Sequence, residues 1–100
     1  MIILELRFHD LVLKEYTLKE GDRLTIGRHP DNDIVPKDAA VSYHHAIIER
    51  KGEKLIVLDK ESRNGTFVNG KKISANKLVP VQKGTSVRFG QIEMEFYLEE

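Results

Sequence analysis

The sequence predicts an all-β domain, either an antiparallel β-sandwich or a barrel, on the basis of three observations. Short runs in which apolar and polar residues alternate recur along the chain. Turn signals rich in Gly, Asn, Asp and Pro separate these runs, and no stretch has the spacing of a long amphipathic helix. Because no linker, low-complexity stretch or internal repeat interrupts the pattern, residues 1–100 are predicted to form a single domain.

The first and last predicted strands alternate between an apolar and a charged face. The run "ILELRF" near the N-terminus and the run "QIEMEFYLE" near the C-terminus each place every second side chain on one face, as a strand does. Their apolar faces consist of Ile2, Leu4, Leu6 and Phe8 in the first strand and Ile92, Met94, Phe96 and Leu98 in the last.

Four further strands are predicted between these two. The runs "AIIERK" and "LIVLD" are predicted to be central and paired, because "KGEK" with Gly52 provides a turn between them. The runs "RLTIG" and "TSVRFG" complete the set. The two longest irregular stretches, "IGRHPDNDIVPKDAAVSYHH" and "DKESRNGTFVNGKK", are the candidates for function, since loops carry function in a sandwich.

The composition excludes several classes of protein. With 40% hydrophobic and 32% charged residues, the chain is predicted to be globular. The absence of cysteine excludes disulfide scaffolds, cysteine-based zinc sites and thiol nucleophiles; it also fits a reducing compartment, so a cytoplasmic location is expected. The apolar runs are too short to span a membrane, and "MIILELRF" lacks the features of a signal peptide.

Charge is distributed unevenly along the chain, although the net charge is zero. Between Lys60 and Gly90, seven Lys and Arg residues are opposed only by Glu61, which gives this region a net charge of +6 and leaves −6 for the rest. Such asymmetry favours an anionic ligand near one face, and a solvated lysine-rich surface is the alternative explanation.

The run "VSYHHAII" raises the hypotheses of a serine hydrolase and of a metal site, and both fail. A catalytic serine needs a histidine that a carboxylate orients, and Ser42 lies in no G-x-S-x-G turn. His44 and His45 are adjacent at the start of a predicted strand, so their side chains point to opposite faces. No catalysis, metal or cofactor is therefore expected.

The pair Gly27–Arg28 indicates a different chemistry. The stretch "IGRHPDND" lacks the spacing of a nucleotide-binding P-loop. Gly27 closes a strand where the backbone must turn, and Arg28 then projects a guanidinium with five N–H donors from the loop. This planar group suits a phosphate.

Four short motifs, in this order and spacing, resemble the forkhead-associated (FHA) domain family. They are Gly27-Arg28, Ser42-Tyr43-His44-His45, Asn64-Gly65-Thr66 and Asn69-Gly70. Each alone is weak, because hairpins commonly use Asn-Gly turns, but the four together are specific. The resemblance covers essentially the whole chain. It implies an antiparallel β-sandwich of about eleven short strands, FHA/SMAD-like, whose loops at one end bind phosphothreonine peptides.

The resemblance also implies roles for the matching residues. Arg28 and Ser42 would bind the phosphate, and Tyr43 would add its backbone N–H and its phenol. Asn64 would hydrogen-bond the peptide backbone, with Arg63 and Thr66 as further peptide-binding candidates.

A second group of matching residues would shape the loops. In it, the buried His45 would brace the loop of Ser42, and Asn69 would link neighbouring loops through its amide. The whole group consists of Gly27, His45, Gly65, Asn69 and Gly70.

Tyr43 departs from the family pattern, which commonly has arginine at this position. The loss of one charge-assisted hydrogen bond is worth about 1.5–3 kcal/mol, or about one to two decades in affinity. Arg63 and Lys37 are the nearby cations that would compensate, and Arg63 is the hypothesised second cation of the site.

The predicted function is recognition without catalysis, in Ser/Thr-kinase signalling. The expected partner is a phosphothreonine-containing protein or peptide, such as a kinase or its substrate, and neither nucleic acid nor a membrane is expected. Tyr43 leaves open an FHA-like scaffold that binds a partner without phosphate. The basic region leaves open nucleic-acid binding, although few of the seven aromatic residues are available for base stacking.

Overall fold

The protein consists of two antiparallel sheets with an apolar core between them. The computed structural model describes residues 1–98, with side chains through Tyr97. Within these residues there are ten strands and no helix, so the predicted all-β sandwich is confirmed. The ten strands agree with the expected count of about eleven, and Ile34 adds an isolated bridge to Ile26.

The strands are short, and none exceeds eight residues. In chain order they are β1 Ile2–Phe8, β2 Leu11–Leu18, β3 Arg23–Ile26, β4 Ala46–Lys51, β5 Lys54–Asp59, β6 Phe67–Val68, β7 Lys71–Lys72, β8 Val79–Val81, β9 Val87–Phe89 and β10 Ile92–Leu98. One sheet has the order β2-β1-β10-β9-β6-β7, and the other has the order β3-β4-β5-β8.

Five of the six strands predicted from the sequence lie inside the two sheets, and the sixth, β3, is an edge strand. β4 and β5 pair along their full lengths through a turn at Gly52, whose φ is 64°. β1 and β10 also pair throughout, and the alternation of β1 buries Leu4 and Leu6. Two parts of the last predicted strand lie outside the described part of the chain. These are the side chain of Leu98, predicted to face the core, and residue Glu99.

The sequence prediction missed β2. Leu11, Val12 and Leu13 follow one another without alternation, and all three are exposed because β2 is an edge strand. A bulge in β1 between Leu6 and Arg7 shifts the pairing register with β2. The period of two that identifies a half-buried strand is therefore absent from the first half of β2, and only Tyr16 and Leu18 near its other end face the core.

The core fixes the long loop between β3 and β4 (residues 27–45) to the end of the sandwich. Two apolar residues of this loop, Ile34 and Val41, are each 1% exposed and belong to the same core cluster as the strands. Burial of an aliphatic side chain stabilises by about 1.5–3 kcal/mol. The polar residues next to Val41 are therefore presented from a fixed backbone.

Within residues 1–98, no helix is long and apolar enough to cross a membrane. The same residues contain no group of three or more His, Cys, Asp or Glu side chains arranged to hold a metal ion.

Candidate functional site

The β3–β4 loop and the β5–β6 loop (residues 60–66) meet at one end of the sandwich and enclose a shallow depression. Its volume is about 160 Å³. Five of the residues predicted to bind phosphate or peptide line it. The full lining consists of Arg28, Ala39, Ala40, Val41, Ser42, Tyr43, Arg63 and Asn64.

Gly27 allows the two ends of the β3–β4 loop to approach each other. A Cβ at this position would lie 1.9 Å from the carbonyl oxygen of Tyr43, a distance at which the backbone would have to move. β3 ends at Ile26 and the chain bends at Gly27; because Gly27 has no positive φ, close approach rather than backbone conformation is the reason for glycine. Asn32 links the two ends of the same loop, because its Nδ2 donates to the carbonyl oxygens of His29 (3.0 Å) and Tyr43 (2.8 Å).

Arg28 is hydrogen-bonded to the far end of the β3–β4 loop through both its backbone and its side chain. Its N–H donates to the carbonyl oxygen of Ser42 at 3.0 Å, and its Nε–H donates to that of Val41 at 2.5 Å. The guanidinium carbon lies 4.6 Å from the centre of the Tyr43 ring. Within residues 1–98, the Nη groups of Arg28 have no hydrogen-bond partner and the side chain forms no ion pair.

Ser42 and Asn64 tie the two loops together. The Ser42 Oγ accepts the N–H of Arg63 at 2.9 Å, and this leaves the hydroxyl hydrogen available for donation. The Asn64 Nδ2 donates to the carbonyl oxygen of Ala40 at 2.9 Å, which leaves the amide oxygen available to accept. These two hydrogen bonds set the width of the depression.

His45 lies beneath the depression and connects the two loops from inside. It is fully buried; its Nδ1 accepts the N–H of Ser42, and its Nε2–H donates to the carbonyl oxygen of Gly65, both at 3.0 Å. This pair of partners selects the neutral tautomer with the proton on Nε2. Burial lowers the pKa of His45, and the hydrogen bond to Gly65 opposes this effect.

The β5–β6 loop depends on Asp59, which the sequence analysis missed. The Asp59 side chain is buried; its Oδ1 accepts the hydroxyls of Ser62 (2.5 Å) and Thr66 (2.7 Å), and its Oδ2 accepts the N–H of Ser62 (3.1 Å). The signal in the sequence is an aspartate at the end of a strand with a serine three residues later, which is typical of a turn closed by side chains.

Thr66 was predicted to bind peptide, and this prediction is wrong. Its side chain is completely buried, and its hydroxyl is committed to Asp59. Thr66 therefore belongs to the internal support of the β5–β6 loop and does not face the depression.

Asp38 is a second support that the sequence analysis missed. Its Oδ2 accepts the N–H of Gln91 at 2.7 Å, and its Oδ1 accepts the N–H of Ala40 at 2.9 Å. It thereby joins the β3–β4 loop to the turn between β9 and β10. A Cβ on Gly90 would lie 2.5 Å from the Asp38 carboxylate, which explains the glycine there.

The remaining predicted residues lie outside the depression. Asn69 and Gly70 have φ values of 48° and 82°, and the Asn69 amide oxygen accepts the N–H of Ser86 at 3.2 Å, so this turn links to the loop before β9. Gly65 has a φ of 89° and serves the β5–β6 loop. Lys37 lines a separate apolar groove, whereas Arg63 lines the depression.

The electrostatic character of the depression follows from its lining. Arg28 and Arg63 are both exposed, and no carboxylate is among the lining residues. The lining thus combines two cations, a hydroxyl donor and an amide, with no acidic side chain among them. This combination is suited to binding an oxyanion that is attached to an extended peptide.

Comparison with known proteins agrees with the geometry. The family model described as "FHA domain" matches residues 24–90. The curated protein "Oxoglutarate dehydrogenase inhibitor" of Corynebacterium jeikeium (strain K411) is 34% identical over 79 residues, which are 79% of this chain and 53% of that protein. The chain thus spans about half the length of this relative.

Solved structures agree as well. The FHA domain of the CT664 protein from Chlamydia trachomatis superposes with a TM-score of 0.87 at 24% identity, over 99% of this chain and 98% of that one. A structure from an analysis of phosphothreonine-dependent FHA domain interactions has a TM-score of 0.80 at 28% identity, over 99% of this chain and 97% of that one. The protein therefore belongs to the FHA domain family.

Proposed function

We propose that this protein binds phosphothreonine-containing peptides or proteins in Ser/Thr-kinase signalling, in the cytoplasm and without catalysis. One observation carries the proposal. The guanidinium of Arg28, the hydroxyl of Ser42 and the amide of Asn64 converge on one depression whose lining contains no acid. The partner would be a kinase or a kinase substrate, because only a kinase creates the phosphate.

The phosphate would lie between Arg28 and Ser42. The Nη groups of Arg28 and the hydroxyl of Ser42 would donate to the phosphate oxygens, since neither has another acceptor within residues 1–98. The free amide oxygen of Asn64 would accept a backbone N–H of the peptide and orient it across both loops. An unmodified threonine offers no charge to the guanidinium, so binding would depend on phosphorylation.

Two findings support phosphate-dependent binding over the alternative of a phosphate-independent scaffold. The aromatic ring of Tyr43 contacts the guanidinium of Arg28, and both residues line the depression, so Tyr43 does not displace the cation from it. A structural relative with 28% identity comes from an analysis of phosphothreonine-dependent interactions.

The decisive experiment compares two peptides that differ only in the phosphate. A degenerate library with a fixed phosphothreonine would first select a sequence, and calorimetry would then measure the affinities of the phosphorylated and unmodified forms. We expect only the phosphorylated form to bind. Replacement of Arg28 by alanine should weaken binding about 10- to 150-fold, the equivalent of one charge-assisted hydrogen bond.

Arg23→Ala is the matched control, because Arg23 is an exposed arginine at the start of β3, away from the depression. It should bind like the wild type. Equal binding of the two peptides, or an Arg28→Ala variant that retains full affinity, would overturn the proposed function.

A further inference from the structure

The exposure of the Tyr43 side chain indicates a role outside the core. It is 60% exposed although it sits at the rim of the depression, so burial contributes little to its position. The guanidinium of Arg28 lies 4.6 Å from the ring centre, within the range of a cation–π interaction, and the His29 ring lies edge-on to Tyr43 at 6.4 Å.

The Arg28 side chain is thereby restrained from two directions. Its Nε–H is bound in the plane of the guanidinium to the carbonyl oxygen of Val41, and the Tyr43 ring contacts the guanidinium group. Only the Nη groups remain without a partner within residues 1–98. A long, flexible arginine that is ordered before the ligand arrives loses less conformational entropy on binding.

The backbone of Tyr43 is fixed without help from its side chain. Its carbonyl oxygen accepts the N–H of His29 at 3.2 Å and the Nδ2 of Asn32 at 2.8 Å, and it lies against Gly27. A substitution of the ring should therefore leave the loop in place. The aromatic ring can be tested separately from the fold.

We propose that Tyr43 is a positioning residue for phosphate recognition, whose ring restrains Arg28 so that its Nη groups face the ligand. This inference rests on the proposed function. In the family pattern, a second arginine at this position would supply another charge. This chain keeps Arg28, which the family pattern also has, and the aromatic ring of Tyr43 holds that arginine in position for the ligand.

The first test uses substitutions of the ring. Tyr43→Phe keeps the ring and removes the hydroxyl, so it should bind the phosphopeptide within about twofold of the wild type. Tyr43→Leu and Tyr43→Gln remove the ring and should weaken binding about 2- to 30-fold, the range of a cation–π contact. Because neither adds nor removes a charge, the dependence of affinity on salt should stay unchanged.

The second test needs no ligand and separates positioning from general stability. In ¹⁵N NMR spectra of the free protein, the Arg28 Nε–H should exchange slowly with water in the wild type and in Tyr43→Phe. It should exchange faster in Tyr43→Leu and Tyr43→Gln, while their melting temperatures remain close to that of the wild type.

The two hypotheses fail in different ways. If the wild type binds the phosphopeptide and Arg28→Ala weakens binding as expected, but both ring-less variants bind normally, only the role of Tyr43 is overturned. Weakening by Tyr43→Phe equal to that by Tyr43→Leu would also overturn it, because the hydroxyl would then be the active group. If the wild type does not bind at all, both proposals fall.

Discussion

At the scale of single residues, His45 couples the ionisation of one imidazole to the shape of the ligand surface. Its Nδ1 accepts from Ser42 on one loop and its Nε2–H donates to Gly65 on the other, and the acceptor role of Nδ1 requires the neutral form. A proton on Nδ1 would remove the acceptor of the Ser42 N–H. The geometry of the serine that faces the depression therefore depends on pH.

The direction of this dependence follows from the lowered pKa of His45. An unfolded histidine titrates near pH 6.5, so as the pH falls the unfolded chain takes up the proton first. The stability that neutral His45 contributes should be complete above about pH 6.5 and should decline below it, towards the folded pKa. One proton limits this slope to about 1.4 kcal/mol per pH unit.

Urea unfolding at several pH values between 5 and 8 measures this slope. His45→Gln removes the titrating group and should show a shallower loss of stability at low pH than the wild type. His44→Gln, at an exposed neighbour, should keep the slope of the wild type. The same slope in all three proteins would contradict the assigned role of His45.

At the scale of elements, each loop of the depression is held by an acidic residue that does not face it. Asp59 organises the β5–β6 loop from the end of β5, and Asp38 attaches the β3–β4 loop to the β9–β10 turn. The loops therefore hold their shape through internal hydrogen bonds although they contain little secondary structure.

We predict that Asp59→Asn lowers both stability and affinity. The amide that replaces one carboxylate oxygen cannot satisfy every donor now bound there, and a buried unsatisfied polar group costs about 1–3 kcal/mol. Chemical unfolding should show this loss, and phosphopeptide affinity should fall because Arg63 and Asn64 belong to the same loop.

Asp31→Asn provides the control, because the Asp31 side chain is 88% exposed. Its stability should match the wild type. An Asp59→Asn variant as stable as the wild type would show that the network contributes nothing.

The elements also show what the sequence could predict. The hairpin of β4 and β5 was predictable because its alternation and the turn at Gly52 agree. Edge strand β2 was not, because its first five residues are exposed and show no alternation. Arg28, Ser42 and Asn64 were found through a motif pattern, whereas Asp38 was missed because its partner Gln91 lies 53 residues away.

Thr66 shows the limit of motif reasoning. It stands directly beside Asn64 and Gly65 in the motif, and sequence alone could not tell which of these side chains faces outward. The structure decides this through the buried carboxylate of Asp59, which binds the threonine hydroxyl from inside.

At the scale of the whole molecule, the net charge is zero, but one part of the chain has a positive net charge and the rest has a negative one. The region from Lys60 to Gly90 has a net charge of +6, and Arg63 is the member of this region that lines the depression with its cationic side chain. An anionic peptide should therefore be attracted before contact, and its association should slow as salt increases.

We predict that Arg63→Ala weakens phosphopeptide binding about 1.4- to 5-fold at low salt, as expected for an exposed ion pair. The slope of affinity against salt concentration should also become shallower. The hydrogen bond from the Arg63 backbone to Ser42 should persist, since it does not involve the side chain.

Lys54→Ala is the matched control, because Lys54 is an exposed cation at the opposite end of β5 from Asp59. It should leave affinity and salt dependence unchanged. If Arg63→Ala behaves like Lys54→Ala, Arg63 is not the second cation of the site.

The pairing of β1 with β10 has a practical consequence for attachments. Phe8 pairs with Ile92, next to the turn that Asp38 holds beneath the ligand loops, whereas Ile2 pairs with Leu98 six residues farther along both strands. At about 3.4 Å per residue, that places Ile2 and Leu98 about 20 Å from the loop end. A fluorophore, a surface tether or a fused protein joined at the exposed Met1, next to Ile2, would leave the depression open to its ligand.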